Sequence, residues 1–187
     1  MKSHFRLPGI LAAAAALLLT SGVTTASATT QQDTGKSERR AQKGAEIYSW
    51  VRNANSGQCL AVPGGSTENG KGLIQWGCGT WNDHYWYFER AFSSGDLVYY
   101  RVRNLNSGQC LAVPGASTTA GTQVIQWPCS TWPDHYWGIE YTSRGARLVN
   151  WNSKQCLAIP GASTAQGEKV IQWPCGTWPD HYWNFTL

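Results

Sequence analysis

One block of 32 residues recurs three times in this chain, beginning at Asn55, Asn106 and Asn152. The first copy reads NSGQCLAVPGGSTENGKGLIQWGCGTWNDHYW and the third NSKQCLAIPGASTAQGEKVIQWPCGTWPDHYW, while the second and third agree at 25 of 32 positions. A unit this short cannot bury a core alone. Three copies must therefore share one core, and any site that one copy builds is presented three times.

Within each unit no stretch holds a helical 3.6-residue period beyond a turn; short apolar runs alternate instead with Gly, Pro, Asn and Ser. In the first unit Ile47 to Arg52, Gln58 to Val62, Leu73 to Trp76 and Trp86 to Phe88 read as four strands, with turns at Asn55-Ser56-Gly57 and Pro63-Gly64-Gly65-Ser66. Four strands in each of three units make twelve, and closing them into a ring removes the exposed edges of three separate sheets. The expected fold is all-β: a β-trefoil of three homologous four-stranded units with pseudo-threefold symmetry, covering residues 47–187, with units at about 47–90, 97–141 and 146–187.

The segment before the repeats addresses a different question. Lys2, His4 and Arg6 precede an apolar Ala/Leu run from Leu7 to Leu19, and Ala26-Ser27-Ala28 forms a small-residue cleavage site. Residues 1–28 read as a secretory signal peptide, because the run from Ile10 to Leu19 is only about half the ~20 residues a spanning helix needs. Residues 29–46 carry no aromatic or large aliphatic side chain and are expected to be a disordered polar linker. Removal of the leader lowers the formal charge from +4 by the charges of Lys2 and Arg6, and residues 47–187 hold nine basic against eight acidic side chains. That balance argues against nucleic-acid binding by charge, and no later run suits membrane insertion.

Each unit holds two cysteines 19 positions apart: Cys59 and Cys78, Cys110 and Cys129, Cys156 and Cys175. In an exported chain an even set at a repeating interval reads as disulfides, and pairing within units preserves the symmetry. Each closed loop is worth about 3 kcal/mol in the chain-entropy view. No C-x-x-C occurs, so neither a metal nor any other cofactor is expected.

Nine of the eleven tryptophans fall at intervals of five: Trp76, Trp81, Trp86; Trp127, Trp132, Trp137; Trp173, Trp178, Trp183. The last of each set opens an apolar final strand and suits the shared core. Two readings are open for Trp76, Trp127 and Trp173, each two residues before a half-cystine: burial, or a rigid apolar plate at the rim. The apolar face of a pyranose packs on such a plate while its hydroxyls seek directed polar partners. Beyond each plate stand Asp83-His84, Asp134-His135 and Asp180-His181. An ionised aspartate accepts from vicinal hydroxyls and a neutral histidine both donates and accepts, so these pairs could orient a sugar; they could equally cap the turn before the last strand.

The C-L-x-V-x-G-x-S motif (with Ile159 for Val in the third unit), the V-x-x-W-x-C motif (with Leu73 for Val in the first) and a closing polar-polar-x-Trp motif, in register in all three units, resemble the ricin B-chain-like lectin domains with their Q-x-W repeats. That resemblance implies a β-trefoil that binds galactose-type or other glycans, often as a targeting module on exported enzymes or toxins. It puts Trp76, Trp127 and Trp173 at the family's sugar-stacking aromatic and Asp83, Asp134 and Asp180 at its binding asparagine. His84, His135 and His181 then occupy the place of the glutamine, so Q-x-W appears as His-x-Trp. The chain departs from the family pattern at two points. Ala61, Ala112 and Ala158 replace its aspartate anchor, and Ile74, Ile125 and Ile171 replace a pocket glutamine, with Gln75, Gln126 and Gln172 one residue on and so on the opposite strand face. Any glycan is then held by the indole, the Asp-His pair and Trp81, Trp132 or Trp178.

A glycan hydrolase needs two carboxylates about 5 to 10 Å apart in one cleft, yet each unit reliably supplies one, since the second unit, with Thr119, has no counterpart of Glu68 or Glu168. Ser, His and Asp occur in every unit without a nucleophile elbow. Catalysis is therefore not expected. The reading is a secreted, non-catalytic carbohydrate-binding protein with up to three shallow sites for glycans or polysaccharide, with oligomeric state left open and a monomer the simplest case. The alternative is a protein-interaction or protease-inhibitor module without glycan binding, for which the symmetry-breaking linkers Ala91 to Leu97 and Thr142 to Ala146 are the only candidate loops.

Overall fold

The computed structural model describes residues 40–43 and 46–187. The expected leader at 1–28 and the rest of the expected linker lie outside them. The first unit comprises β1 (Arg40–Lys43), β2 (Glu46–Trp50), β3 (Arg52–Asn53), β4 (Cys59–Ala61), β5 (Ile74–Trp76) and β6 (Tyr85–Ser94). The second comprises β7 (Leu97–Asn104), β8 (Cys110–Ala112), β9 (Ile125–Trp127) and β10 (Trp137–Thr142), and the third β11 (Gly145–Asn150), β12 (Cys156–Ala158), β13 (Ile171–Trp173) and β14 (Trp183–Asn184). The twelve expected strands are present, the first interrupted for one residue at the fully buried Val51. A further strand appears where spacer was expected: β1 pairs antiparallel with β2 from Arg40↔Ser49 to Lys43↔Glu46. Backbone groups alone suffice for that pairing, so a segment without large apolar side chains can still extend a free edge.

Two layers of pairing make the fold. In the first, β2 pairs β6, β6 pairs β7, β7 pairs β10, β10 pairs β11, β11 pairs β14, and β14 returns to β3 through Trp183↔Asn53. Because β2 and β3 are one strand with a break, the ring closes, with β1 appended to β2 outside it. In the second, the hairpins β4–β5, β8–β9 and β12–β13 cap the ring. The amide of Leu73 donates to Val124 O, that of Val124 to Val170 O, and that of Val170 to Leu73 O, at 2.9, 3.0 and 3.0 Å. Such a three-membered cycle places the hairpins around one pseudo-threefold axis. This is a β-trefoil, as the repeats require.

The core is contributed symmetrically by Leu60, Leu111 and Leu157, by Val62, Val113 and Ile159, by Leu73, Val124 and Val170, and by Trp86, Trp137 and Trp183. Those three indoles are fully buried, and their Nε1 groups donate to Leu60 O, Leu111 O and Leu157 O at 2.9, 3.1 and 3.0 Å. The polar end of each large ring is thereby satisfied without leaving the interior. Cys59–Cys78, Cys110–Cys129 and Cys156–Cys175 form the three bridges expected within units.

Trp137→Phe removes both ring volume and the donor to Leu111 O in a fully buried place. It should lower the unfolding free energy by about 2 to 4 kcal/mol with an unchanged denaturant slope, read from guanidinium unfolding followed by circular dichroism; a loss below 1 kcal/mol would contradict this account of the core.

Candidate functional site

Each hairpin faces a cleft. In β4–β5 the register Leu60↔Gln75 turns those two side chains inward, whereas Ala61↔Ile74 and Cys59↔Trp76 lie on the other face. Ala61, Ile74 and Trp76 thus line the first cleft together with Trp81, Asp83, His84 and the turn Pro63–Gly65. Equivalent residues line the second, around Trp127, Trp132, Asp134 and His135, and the third, around Trp173, Trp178, Asp180 and His181. The cleft volumes are about 620, 600 and 470 Å³ in chain order, of the size that takes a small organic ligand.

All nine sequence-predicted binding positions fall in these clefts, three to each. Trp76 and Trp173 are 38% and 42% exposed and Trp127 is partly buried, so none is sealed in the core. Trp81, Trp132 and Trp178 are more exposed still and form a second aromatic wall. The Asp-His pairs sit deeper than two polar handles on the surface would. Each closes a 3₁₀ turn, Asn82–His84, Pro133–His135 or Pro179–His181, and is almost wholly covered, forming the cleft floor.

The electrostatics of that floor follow from burial. Gly79 N–H donates to His84 Nδ1 at 3.2 Å and Gly176 N–H to His181 Nδ1 at 3.4 Å. A nitrogen that accepts carries no proton, so these imidazoles are neutral with the proton on Nε2. Nε2 faces the neighbouring aspartate Oδ2 at 3.5 to 3.7 Å in the three units, beyond hydrogen-bond length. Desolvation holds all three histidines below their ordinary pKa against the pull of the adjacent aspartate, aided by Arg101 at His135 and Arg147 at His181. Desolvation also raises the Asp83 carboxyl. In the third unit Asp180 Oδ2 accepts from Ile159 N–H at 3.1 Å, tying floor to wall.

Neighbouring units hold each cleft in shape. Trp76 rests on Gly167, Trp127 on Gly70 and Trp173 on Gly121, all with positive φ, and a Cβ there would stand 3.3 to 3.5 Å from the indole Cζ3. Asn106, Asn152 and Asn55 donate through Nδ2 to Gly65 O, Ala116 O and Ala162 O, bracing the turn of the preceding cleft. Asn104, Asn150 and Asn53 donate in the same way to Asp83 O, Asp134 O and Asp180 O. Gln75, Gln126 and Gln172 are fully buried; Gln75 Nε2 bonds Ser163 O and Ala165 O across the unit boundary. Sequence reasoning missed these amides as builders of the site. The signal was their presence at the same place in every unit, where a solvated polar residue would have been free to vary.

The turn walls carry their own strain. Gly65 has φ of +61°, but the same place in the other units is Ala116 and Ala162, each at +52°. Left-handed backbone at a non-glycine residue costs about 1 kcal/mol or more and is often found at binding sites.

A closed threefold β-ring with a rim cleft per repeat defines a β-trefoil. Residues 39–127 and 82–173 match the ricin-type β-trefoil lectin domain-like family, and the chain belongs to it. Among solved structures it is similar to a designed threefold-symmetric protein, ThreeFoil, with 29% identity over 74% of this chain and 96% of that one and a TM-score of 0.68. It is also similar in fold to an exo-β-1,3-galactanase from Clostridium thermocellum, at 23% identity, TM-score 0.70 and 79% of this chain but only 31% of the enzyme. The C-half of the earthworm R-type lectin, solved in complex with GalNAc, aligns at 12% identity and TM-score 0.59 over 75% of this chain and 97% of that one. No curated protein matches the chain. Among the described residues no group of three or more His, Cys, Asp or Glu is placed to hold a metal ion.

Histidines depressed in the folded state bind protons more readily when unfolded, so the stability they allow is present above about pH 6.5 and is lost as pH falls through their folded values. The melting temperature should therefore fall on acidification below pH 6.5, and His84→Gln with His181→Gln should flatten that slope. The raised Asp83 carboxyl acts in the opposite sense as pH falls, so the difference between the native protein and the double variant, read by calorimetry from pH 7.5 downward, isolates the histidines; an unchanged slope in the double variant would contradict the assignment.

Proposed function

We propose that the protein is a secreted, non-catalytic carbohydrate-binding module with three shallow sites, in each of which a sugar stacks on Trp76, Trp127 or Trp173. The observation that carries the reading is a cleft walled by two indoles that reach solvent, one of them partly buried in the second unit, over a covered Asp-His floor with one carboxylate, repeated three times. A pyranose fits between such walls: its C–H face covers an indole while a hydroxyl pair donates to Asp83, Asp134 or Asp180. The histidine beside each aspartate completes the polar side of the site, and in the first and third clefts its Nδ1 bond to Gly79 or Gly176 fixes the turn that presents it. Ala61, Ala112 and Ala158 leave the floor without a second carboxylate, which keeps each contact weak and leaves the pair of tryptophans as the main source of affinity.

Membership of a lectin-like family supports this reading, as do a similar fold in a galactan-cleaving enzyme and in a lectin solved with GalNAc. Galactose-type glycans and β-linked polysaccharides are accordingly the first candidates. Three disulfides suit an oxidising compartment, in keeping with export. Strength would come from engaging several sugars of one polymer.

Residues 47–187 applied to a glycan array should bind a defined set of saccharides. Trp76→Ala, Trp127→Ala and Trp173→Ala should each weaken binding to multivalent glycan and together abolish it, with the fold retained by circular dichroism. Undiminished binding by the folded triple variant would remove the stacking proposal.

A further inference from the structure

The three clefts are equivalent in outline but not in detail, and the difference traces to one residue. From Trp127 to Trp137 and from Trp173 to Trp183 the sequences are identical except that Ser130 stands where the third unit has Gly176; the first unit has Gly79 there. At Gly79 and Gly176 a Cβ would overlap the six-membered ring of Trp81 or Trp178, so the indole lies directly on the glycine backbone. A serine cannot admit that packing. In the second unit the backbone N–H of Trp132 donates instead to Ser130 Oγ at 3.2 Å.

Two consequences appear beside it. The plane of Trp132 meets that of His135 at 81°, with centroids 5.7 Å apart, against 56° and 5.3 Å for Trp81 with His84 and 48° and 5.2 Å for Trp178 with His181. Pro133 then becomes part of the cleft lining, whereas Pro179 in the third unit does not. In addition, His135 Nδ1 is buried without a hydrogen-bond partner, at the place where its counterparts accept from Gly79 and Gly176. The middle cleft has lost both the seat of its outer indole and the backbone bond that fixes its histidine.

We propose that residue 130 determines the strength of the saccharide site, making the middle cleft the weakest of the three. This rests on the carbohydrate-binding reading above and adds a rank order to it. A ring seated on backbone is already held in the pose that stacks a sugar, whereas Trp132, lifted away by the serine, must be ordered on binding. The deficit is about two- to tenfold in affinity, the worth of one well-placed aromatic contact.

The test follows the six rim indole N–H resonances by NMR, assigned through single Trp→Phe variants, during titration with oligosaccharides of β-1,3-galactan, xylan, mannan and β-glucan and with N-acetylgalactosamine. Expected is a weaker dissociation constant from Trp127 and Trp132 than from the other two pairs. S130G should bring the middle site to parity, while G176S should weaken the third site by a similar factor. A second readout needs no sugar: S130G should shift the free-state Trp132 indole resonance toward that of Trp178. Equal affinities in the native protein, or a weak middle site untouched by S130G, would overturn the role of residue 130 while leaving the lectin reading standing. Indoles unmoved by every saccharide would remove the lectin reading and the rank order with it.

Discussion

Three backbone amides near the pseudo-threefold axis, those of Leu73, Val124 and Val170, each donate to a carbonyl of the next unit, and the third closes on the first. No pair of units can satisfy that cycle, because a two-membered arrangement leaves one buried donor and one buried acceptor without partners, each worth about 1 to 3 kcal/mol. Flanking bonds reinforce it, with Gly70 N–H donating to Gln126 O and Gln126 N–H to Lys71 O, and the same exchange at the other two junctions. The short hairpins have three residues per strand and would be marginal alone. Their stability comes from being joined at the centre, and the strand ring below supplies the volume that the three core tryptophans fill.

The same junctions make each cleft the work of all three units. In the first cleft the walls and floor are local, but Trp76 leans on Gly167 from the third unit, while Asn106 and Asn104 of the second hold Gly65 O and Asp83 O. The other two clefts repeat this with the units permuted. A single change in one repeat is therefore felt in two places: its own cleft and a neighbour's. That coupling gives a physical reason for the close agreement between repeats. The bracing amides Asn53, Asn104 and Asn150 and the buried Gln75, Gln126 and Gln172 serve the partner across the boundary, so each copy is constrained by the other two.

Much of this was legible in the residues because the repeat supplied what single-sequence reasoning lacks. Equal spacing of Cys59 and Cys78 and its counterparts chose one pairing out of fifteen possible for six cysteines, and Trp86, Trp137 and Trp183 could be placed in a core because symmetry had to put them in one environment. The clefts were partly legible: Trp76 and Asp83 share one, as their places in the motif implied. Depth was not. An Asp-His pair in a polar turn looks the same whether it projects or is folded under, and only the 3₁₀ turn with its Gly79 N–H to His84 Nδ1 bond shows that it is folded under. The edge strand Arg40–Lys43 was hidden for a related reason, since backbone pairing leaves no side-chain signature.

The contrast between a rigid frame and shallow clefts bears on how such a molecule would act. On the proposed reading each site offers two indoles and one carboxylate, too little for tight binding of a lone sugar once the cost of ordering ligand and protein is met. Rigid placement of three sites on one core changes the arithmetic, because after the first saccharide binds, the others on the same polymer meet their clefts at a raised effective concentration set by geometry. Under that regime a weak site is not wasted: a cleft several-fold poorer than its neighbours still lowers the escape rate of a chain already held at two points, while a flexible frame would forfeit the gain at all three. The hydrogen-bonded cycle at the axis and the disulfide in every hairpin thus do more than stabilise a short repeat. They hold the distances between the clefts constant, and on the proposed reading the avidity of the protein depends on those distances.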